Sequence, residues 1–347
     1  MKSFEKDYIK RLNIPADVIS QIAALSEFKG KEELYRKQSP DILDSLIELA
    51  LIESAESSNR IEGIIVPHDR VEAIVHNSKP RNRPEEEVAG YRDALSRIHQ
   101  MYEGMDLSSN VILMLHSMLY KHTNVKAGEW KRGDNQIVER MPDGKVKVRF
   151  EPVSALKTPE YMEELIKFYR YFDEQERIGA LILIPLFILD FLCVHPFKDG
   201  NGRVGRLLTL LLFYQAGFKV GKYISLERVI EDSKETYYEA LYASSQKWHE
   251  AKHDVLPWLK YFYGVLTAAY KEFESRVGVF DSKKTKSQRV TGKIFEFSQP
   301  FSVSMIQSAC PDAGIDLIRK ILKDLQKAGK VKPISKGRYA KWRLTSE

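Results

Sequence analysis

The sequence predicts a mostly α-helical protein carrying one β-hairpin, followed by a small C-terminal module of three helices and a second hairpin. Three observations carry this. Apolar residues recur at three- and four-residue spacing over most of the first 275 positions. That rhythm breaks only between 128 and 152, where two short β-prone runs flank a turn. After residue 288 the pattern becomes compact, with short helices and a closing pair of strands. At 347 residues the chain is too long for one ordinary core.

Taken in order, helical spacing runs through 16–36 and 40–58. In the second stretch Ile42, Leu43, Leu46, Ile47, Leu49, Ala50, Ile52 and Ala55 form an apolar face, with Ser39 before Pro40 as its cap. Asn59 to Pro67 ends that helix. The basic stretch KPRNRPEEE (79–87) reads as a loop entering a helix over 86–103, and another helix covers 107–122. Gln136 to Arg140 and Lys145 to Phe150, joined by Pro142-Asp143-Gly144, carry a hairpin signature. Helical periodicity returns for 155–173, 178–194, 203–216, 233–248 and 254–275, and the helical body ends near Gly278. Ile178 to Val194 is very apolar but short, with Pro185 and Asp190 inside it. A spanning helix needs about 20 apolar residues, so this reads as a buried central helix and no membrane contact is expected.

Asp281 to Gln288 reads as a linker. Helices over 288–298, 303–309 and 314–328 then precede strands at Val331–Ile334 and Tyr339–Leu344 around Lys336-Gly337, the order of a winged helix. Arg319, Lys320, Lys323 and Lys327 line part of the candidate recognition helix, although Asp316 and Asp324 dilute the field. DNA is one candidate partner for this module; packing or dimerisation is the other. The organisation is therefore an N-terminal helical region (1–80), a central domain (81–278) and the C-terminal module (285–347).

Composition bounds the function. The chain is 43% apolar and 29% charged, with a net charge of +6 from 54 basic and 48 acidic residues, which permits nucleotide or nucleic-acid contact without requiring it. Cys193 and Cys310 are the only cysteines, so a disulfide framework is not expected. The N-terminus MKSFEKDYIKRLNIP has no apolar run of a secretory signal. A cytoplasmic protein is expected.

The chemistry concentrates in His195-Pro-Phe-Lys-Asp-Gly-Asn-Gly-Arg-Val-Gly-Arg206. Gly200 and Gly202 allow a tight turn that presents N–H groups outward, and the next helix adds its own unpaired N–H groups. Arg203 and Arg206, three apart, lie over one side of its first turn. Asp199 offers a hard oxygen for a divalent cation, Asn201 an amide for a phosphate oxygen, and His195 an imidazole that can take a proton. Together these suit phosphoryl or nucleotidyl transfer. No GxxxxGK[ST] occurs, which disfavours a P-loop enzyme.

HPFKDGNGRVGR resembles the signature of the Fic family, His-x-Phe-x-Asp/Glu-Gly-Asn-Gly-Arg-x-x-Arg, at every defining position, and similarity of organisation extends over roughly 1–275. The resemblance implies a helical Fic domain that transfers AMP from ATP, with Mg²⁺ or Mn²⁺, to a Tyr, Thr or Ser hydroxyl of a protein. It implies His195 as base, Phe197 as a buried loop anchor and Asp199 as metal ligand. Asn201 and the loop amides of Gly200 and Gly202 would take the α- and β-phosphates, Arg203 the β-phosphate and Arg206 the γ-phosphate. The hairpin matches the family's target-binding flap, with Ile137 and Val138 over the nucleotide, and Tyr237 and Tyr238 match positions beside adenine. A family Asn is replaced here by Ser245. Related activities use UTP or CDP-choline, transfer phosphate, or remove AMP; Doc-type kinases depart from the GNG core that this chain keeps.

A second motif precedes the first. Ser58 to Gly63 reads Ser-x-x-x-Glu-Gly, which resembles the inhibitory helix of Fic proteins whose brake lies in the same chain. The resemblance implies that Glu62 pairs with Arg206 and withdraws it from phosphate binding, while Ser58 anchors the helix end. The expectation is an autoinhibited transferase acting on an unidentified protein, itself included, with a homodimer compatible. The alternative is a nucleotide-sensing, DNA-binding regulator.

Overall fold

A computed structural model describes residues 1–38, 40–140, 146–283, 286–295, 297, 300–310, 313–335 and 340–345. The chain divides into two compact units, Met1–Phe273 and Glu274–Glu347.

The first unit opens with α1 (Lys6–Arg11), α2 (Ala16–Gln38) and α3 (Pro40–Ile61). The expected Ser39 cap lies outside the described residues. Next come α4 (His68–Val75) and α5 (Arg83–Met101). α5 starts earlier than the sequence suggested. Asn82 accepts the Glu85 amide through its side chain, and Pro84 fits the first turn, where no amide donor is needed. The basic stretch at 79–87 is thus half helix. α6 (Ser109–Leu119) is capped by the Ser108 hydroxyl.

The flap follows as β1 (Ile137–Arg140) and β2 (Val146–Phe150), antiparallel, with Val138 opposite Val148 and an irregularity between Ile137 and Val138. The Pro142-Asp143-Gly144 turn lies outside the described residues. Then come α7 (Thr158–Glu174), α8 (Ala180–Val194), α9 (Asn201–Gln215), α10 (Leu226–Asp232), α11 (Lys234–Ser245) and α12 (Leu256–Lys283).

α8 is apolar around its whole circumference and nearly all of it is buried, which makes it the axis of the unit. It packs on α7 and α9, while α3 lies against α5 and α10. Its one charged residue, Asp190, is fully buried and satisfied by the Ser3 amide and hydroxyl and by Trp248 Nε1. Burial raises its pKa to about 6, and those hydrogen bonds pull against the rise. Truncating a side chain such as Leu189 or Phe191 here would cost about 2–5 kcal/mol. No helix among the described residues is long and apolar enough to cross a membrane.

The boundary between the units falls inside α12, and the expected linker at 281–288 is largely helical: α12 runs to Lys283 and α13 (Lys286–Phe295) begins three residues on. The second unit continues with β3 (Phe301–Ser302), α14 (Val303–Ala309), α15 (Ile315–Lys327), β4 (Val331–Pro333) and β5 (Lys341–Leu344). Its sheet has the order β3-β5-β4, all antiparallel. Val290, Ile294, Phe301, Ile306, Ile318 and Leu322 fill its separate core. Lys336-Gly337 lies outside the described residues.

Candidate active site

α8 ends at His195, whose backbone sits in the left-handed region at φ 51°. A non-glycine residue there costs about 1–3 kcal/mol unless its surroundings hold it. They do so through two residues the sequence reading passed over. Buried Lys131 donates from Nζ to the Val194 carbonyl (3.1 Å) and to Asn135 Oδ1 (2.8 Å), and from its amide to the Pro196 carbonyl (2.8 Å). Asn135 Nδ2 in turn donates to the Phe197 carbonyl (3.1 Å). Desolvation lowers the Lys131 pKa to about 8.

The His195 ring is thereby fixed in a defined tautomer. Nδ1 lies 3.3 Å from the Leu192 carbonyl, which can only accept, so Nδ1 carries the proton and Nε2 keeps its lone pair. Burial lowers the imidazole pKa to about 4, against the opposing pull of that carbonyl. The ring is neutral near pH 7, the form that can accept a proton.

Phe197 anchors the loop. It is fully buried and stacks on His116 with ring centroids 3.7 Å apart, and on Trp130 at 5.4 Å. Gly200, at φ +84°, stands at the start of α9, with Tyr120 so close that a methyl there would crowd the phenol. Asn201 also closes the loop on itself. Its Oδ1 accepts the Phe197 amide (2.9 Å) and its Nδ2 donates to the Phe197 carbonyl (2.8 Å), so its amide clamps the loop.

The two arginines part company. Arg203 is 1% exposed and does not reach the cavity. It donates to Glu87 Oε2 (2.6 Å), Asn59 Oδ1 (3.3 Å) and the Tyr120 hydroxyl (2.9 Å). Tyr120 passes its own proton toward Asp199 Oδ2 (2.9 Å), whose carboxylate is 68% exposed. Arg206 faces the other way. Its Nε donates to Ser58 Oγ (2.8 Å), and its Nη2 to the Ser58 carbonyl (2.8 Å) and Glu62 Oε1 (2.7 Å). Its Nη1 is buried without a hydrogen-bond partner. Burial works to lower the guanidinium's pKa, but Glu62 together with the nearby Tyr237 and Tyr91 outweighs it and the net shift is upward. Glu62, Gly63 and their turn close α3, where Lys234 from α11 donates to the Ile61 carbonyl (2.7 Å).

Glu62 also lies directly over Gly202. A methyl at Gly202 would fall inside contact distance of Glu62 Oε1. The carboxylate therefore occupies the first turn of α9, where free amides and the helix dipole favour negative charge.

These groups open into one cavity of about 460 Å³. Of the residues singled out in the sequence, Ile137, Val138, His195, Gly202, Arg206, Tyr237, Tyr238, Ser245 and Glu62 line it. Asp199, Gly200, Asn201, Arg203, Ser58 and Gly63 do not. Arg149, Leu241 and Tyr242 line it as well, with the Arg149 guanidinium 4.8 Å from the Tyr242 ring centre. Among them, the i, i+4 spacing of Tyr238 and Tyr242 on α11 was the available signal.

In sequence, the chain is similar to known proteins over part of its length. Residues 106–213 match the model of the Fic/DOC family. A probable protein adenylyltransferase of Aquifex aeolicus is 27% identical over 132 residues, covering 36% of this chain and 38% of that protein. A Fido domain-containing protein of Dictyostelium discoideum is 32% identical over 65 residues, 18% of this chain and 46% of that protein. The chain thus spans less than half the length of both relatives. The crystal structure of a Fic family protein from Desulfovibrio desulfuricans is similar in fold, with a TM-score of 0.64 at 20% identity over 97% of this chain and 98% of that one. Residues 106–213 are therefore a Fic/DOC family domain, set within a larger helical unit.

Proposed function

We propose that this chain transfers AMP from ATP to a hydroxyl of a target protein, itself included, and that Glu62 restrains the reaction. One observation carries the reading: His195, Arg206 and the first turn of α9 open into the same cavity, and Glu62 fills the anion position between them. On this reading His195 Nε2 takes the proton from a Tyr, Thr or Ser hydroxyl. The hydroxyl oxygen then attacks the α-phosphorus, and pyrophosphate leaves. The amides of α9 receive phosphate oxygens, and Arg206, once released by Glu62, takes the terminal phosphate. Tyr237 and Tyr238 form a wall suited to adenine. The β1 edge of the flap offers main-chain groups to an extended target segment.

Asp199 suits Mg²⁺ or Mn²⁺. Its carboxylate is exposed, and one oxygen is oriented by Tyr120. Among the described residues no three His, Cys, Asp or Glu side chains gather into a metal site. That fits an ion held by one carboxylate, with phosphate oxygens and water completing its shell. A bound ion would neutralise phosphate charge.

The test is transfer of label from α-labelled ATP with Mg²⁺, comparing wild type, Glu62→Gly, and Glu62→Gly combined with His195→Ala. Label on the first variant that vanishes in the second supports both the AMP chemistry and the restraint. Equal labelling of wild type and Glu62→Gly would remove the restraint. No transfer from α-labelled ATP, with transfer from α-labelled UTP or from labelled CDP-choline under the same conditions, would replace the donor.

A further inference from the structure

Charge is divided unevenly between the two units. Residues 274–347 hold 16 Lys and Arg against 7 Asp and Glu, a net +9, so residues 1–273 carry −3 of the chain's +6. The chain's whole positive excess therefore resides in the smaller unit, which the net figure hides.

The excess is also placed. α15 buries Ile318, Ile321 and Leu322, while Arg319, Lys323 and Lys327 recur at four-residue steps on the opposite face and are exposed. Asp316 and Asp324 are also on the exposed side, so the stripe is not unbroken. α14 precedes α15 across a short connection, residues 310–314, the arrangement in which the second helix is presented outward. In the sheet, Lys332 on β4 stands directly opposite Arg343 on β5, and Lys341 lies two residues from Arg343 on the same face. Like charges directly opposed across a ladder are destabilising. Such a pair is retained at a cost unless an anion covers it. The other face is committed inward: Val331 pairs with Leu344 and is buried.

We propose that the C-terminal unit binds duplex nucleic acid, using the exposed basic face of α15 and the Lys332–Arg343 face of the β4–β5 ladder. An exposed helix of this length fits the major groove, and the cations of the ladder take backbone phosphates. Duplex is favoured over a membrane surface because the cations sit on a rigid helix and ladder whose inward sides, Ile318, Ile321, Leu322 and Val331, are spent on the unit's own core, which leaves only scattered exposed apolar side chains such as Ile315 and Ile334 among the described residues.

The experiment uses the full chain, a fluorescein-labelled mixed-sequence duplex of about 20 base pairs, and anisotropy titrations from roughly 50 to 200 mM salt. Four phosphate contacts give a slope of log K against log salt near −3.6, so affinity falls roughly a hundredfold over that range. Lys332→Gln with Arg343→Gln is expected to flatten the slope by about 2, while the melting temperature holds or rises because the opposed charges are gone. Arg319→Gln with Lys323→Gln also weakens binding, and Lys157→Gln with Lys167→Gln, exposed in the first unit, leaves it unchanged. Weakening by all three pairs alike would overturn the assignment to this unit. Tight binding to phosphatidylserine vesicles without duplex binding, or no salt-dependent duplex binding, would overturn the proposal. None of these readouts depends on transferase activity.

Discussion

The two sides of the first turn of α9 carry arginines three residues apart with opposite fates. On the side facing α5 and α6, Arg203 is sealed, with Glu87, Asn59 and Tyr120 around it. On the side facing α3, Arg206 lies at a cavity wall with Glu62 as its counter-ion; each guanidinium keeps one buried nitrogen without a hydrogen-bond partner, Nε in Arg203 and Nη1 in Arg206. The signature treats both as phosphate ligands. Their surroundings make one a structural member that orients Asp199 through Tyr120, and leave the other as the group that can change partners. Solvent access decides the difference: Glu87 is 6% exposed at its side chain, and Glu62 is 31% exposed.

That contrast can be broken in several ways. The largest expected effect is on the sealed side. Glu87→Ala strands a buried guanidinium and should cost about 3–5 kcal/mol in a denaturant titration. Loss of well under 1 kcal/mol would mean that Arg203 is not a structural member. Next is Glu62→Gln, which keeps the shape but removes the charge. A charge-assisted hydrogen bond contributes about 1.5–3 kcal/mol, so release should raise label transfer about ten- to a hundredfold, with a stability loss no larger than that and smaller than for Glu87→Ala. Tyr120→Phe should be milder, about 0.5–1.5 kcal/mol in stability. Its diagnostic is a higher Mg²⁺ concentration for half-maximal transfer, because Asp199 loses its orienting hydrogen bond.

The smallest effect concerns pH. The His195 pKa is depressed from 6.5 to about 4 by burial, so the neutral base is fully present above pH 6.5 and is lost as pH falls through 4. In the Glu62→Gln background, transfer should hold from pH 7 down to about 5. An acid limb centred near 6.5 would show that burial does not depress this imidazole.

Much of this was legible in the sequence, for identifiable reasons. α8 could be recognised because its apolar run is unbroken except at Asp190. The turn after it could be read because His195, Gly200 and Gly202 mark where backbone must bend or be approached closely. Glu62 and Arg206 were paired by motif, and the structure brings them within 2.7 Å. What escaped is what depends on long-range packing. Lys131 and Asn135 meet the 194–197 segment some 60 residues later in sequence, and no local spacing announces that meeting. Asn201 was read as a phosphate donor because its side chain can be one, and only the loop's closure shows that its Oδ1 and one Nδ2 hydrogen are engaged by Phe197. The helical ends at 281–283 and 286–288 were missed because polar, lysine-rich composition suits an exposed helix as well as a linker.

The bare Cα of Gly202 has a consequence of its own. Because nothing projects from it, the same small volume can receive an incoming phosphate or the carboxylate of Glu62, but not both. On the proposed reading Glu62 is then a tethered competitor, present at an effective concentration on the order of millimolar or above. A nucleotide that must displace it meets a threshold set by the chain itself, so occupancy would follow the cell's supply of that nucleotide only above this level.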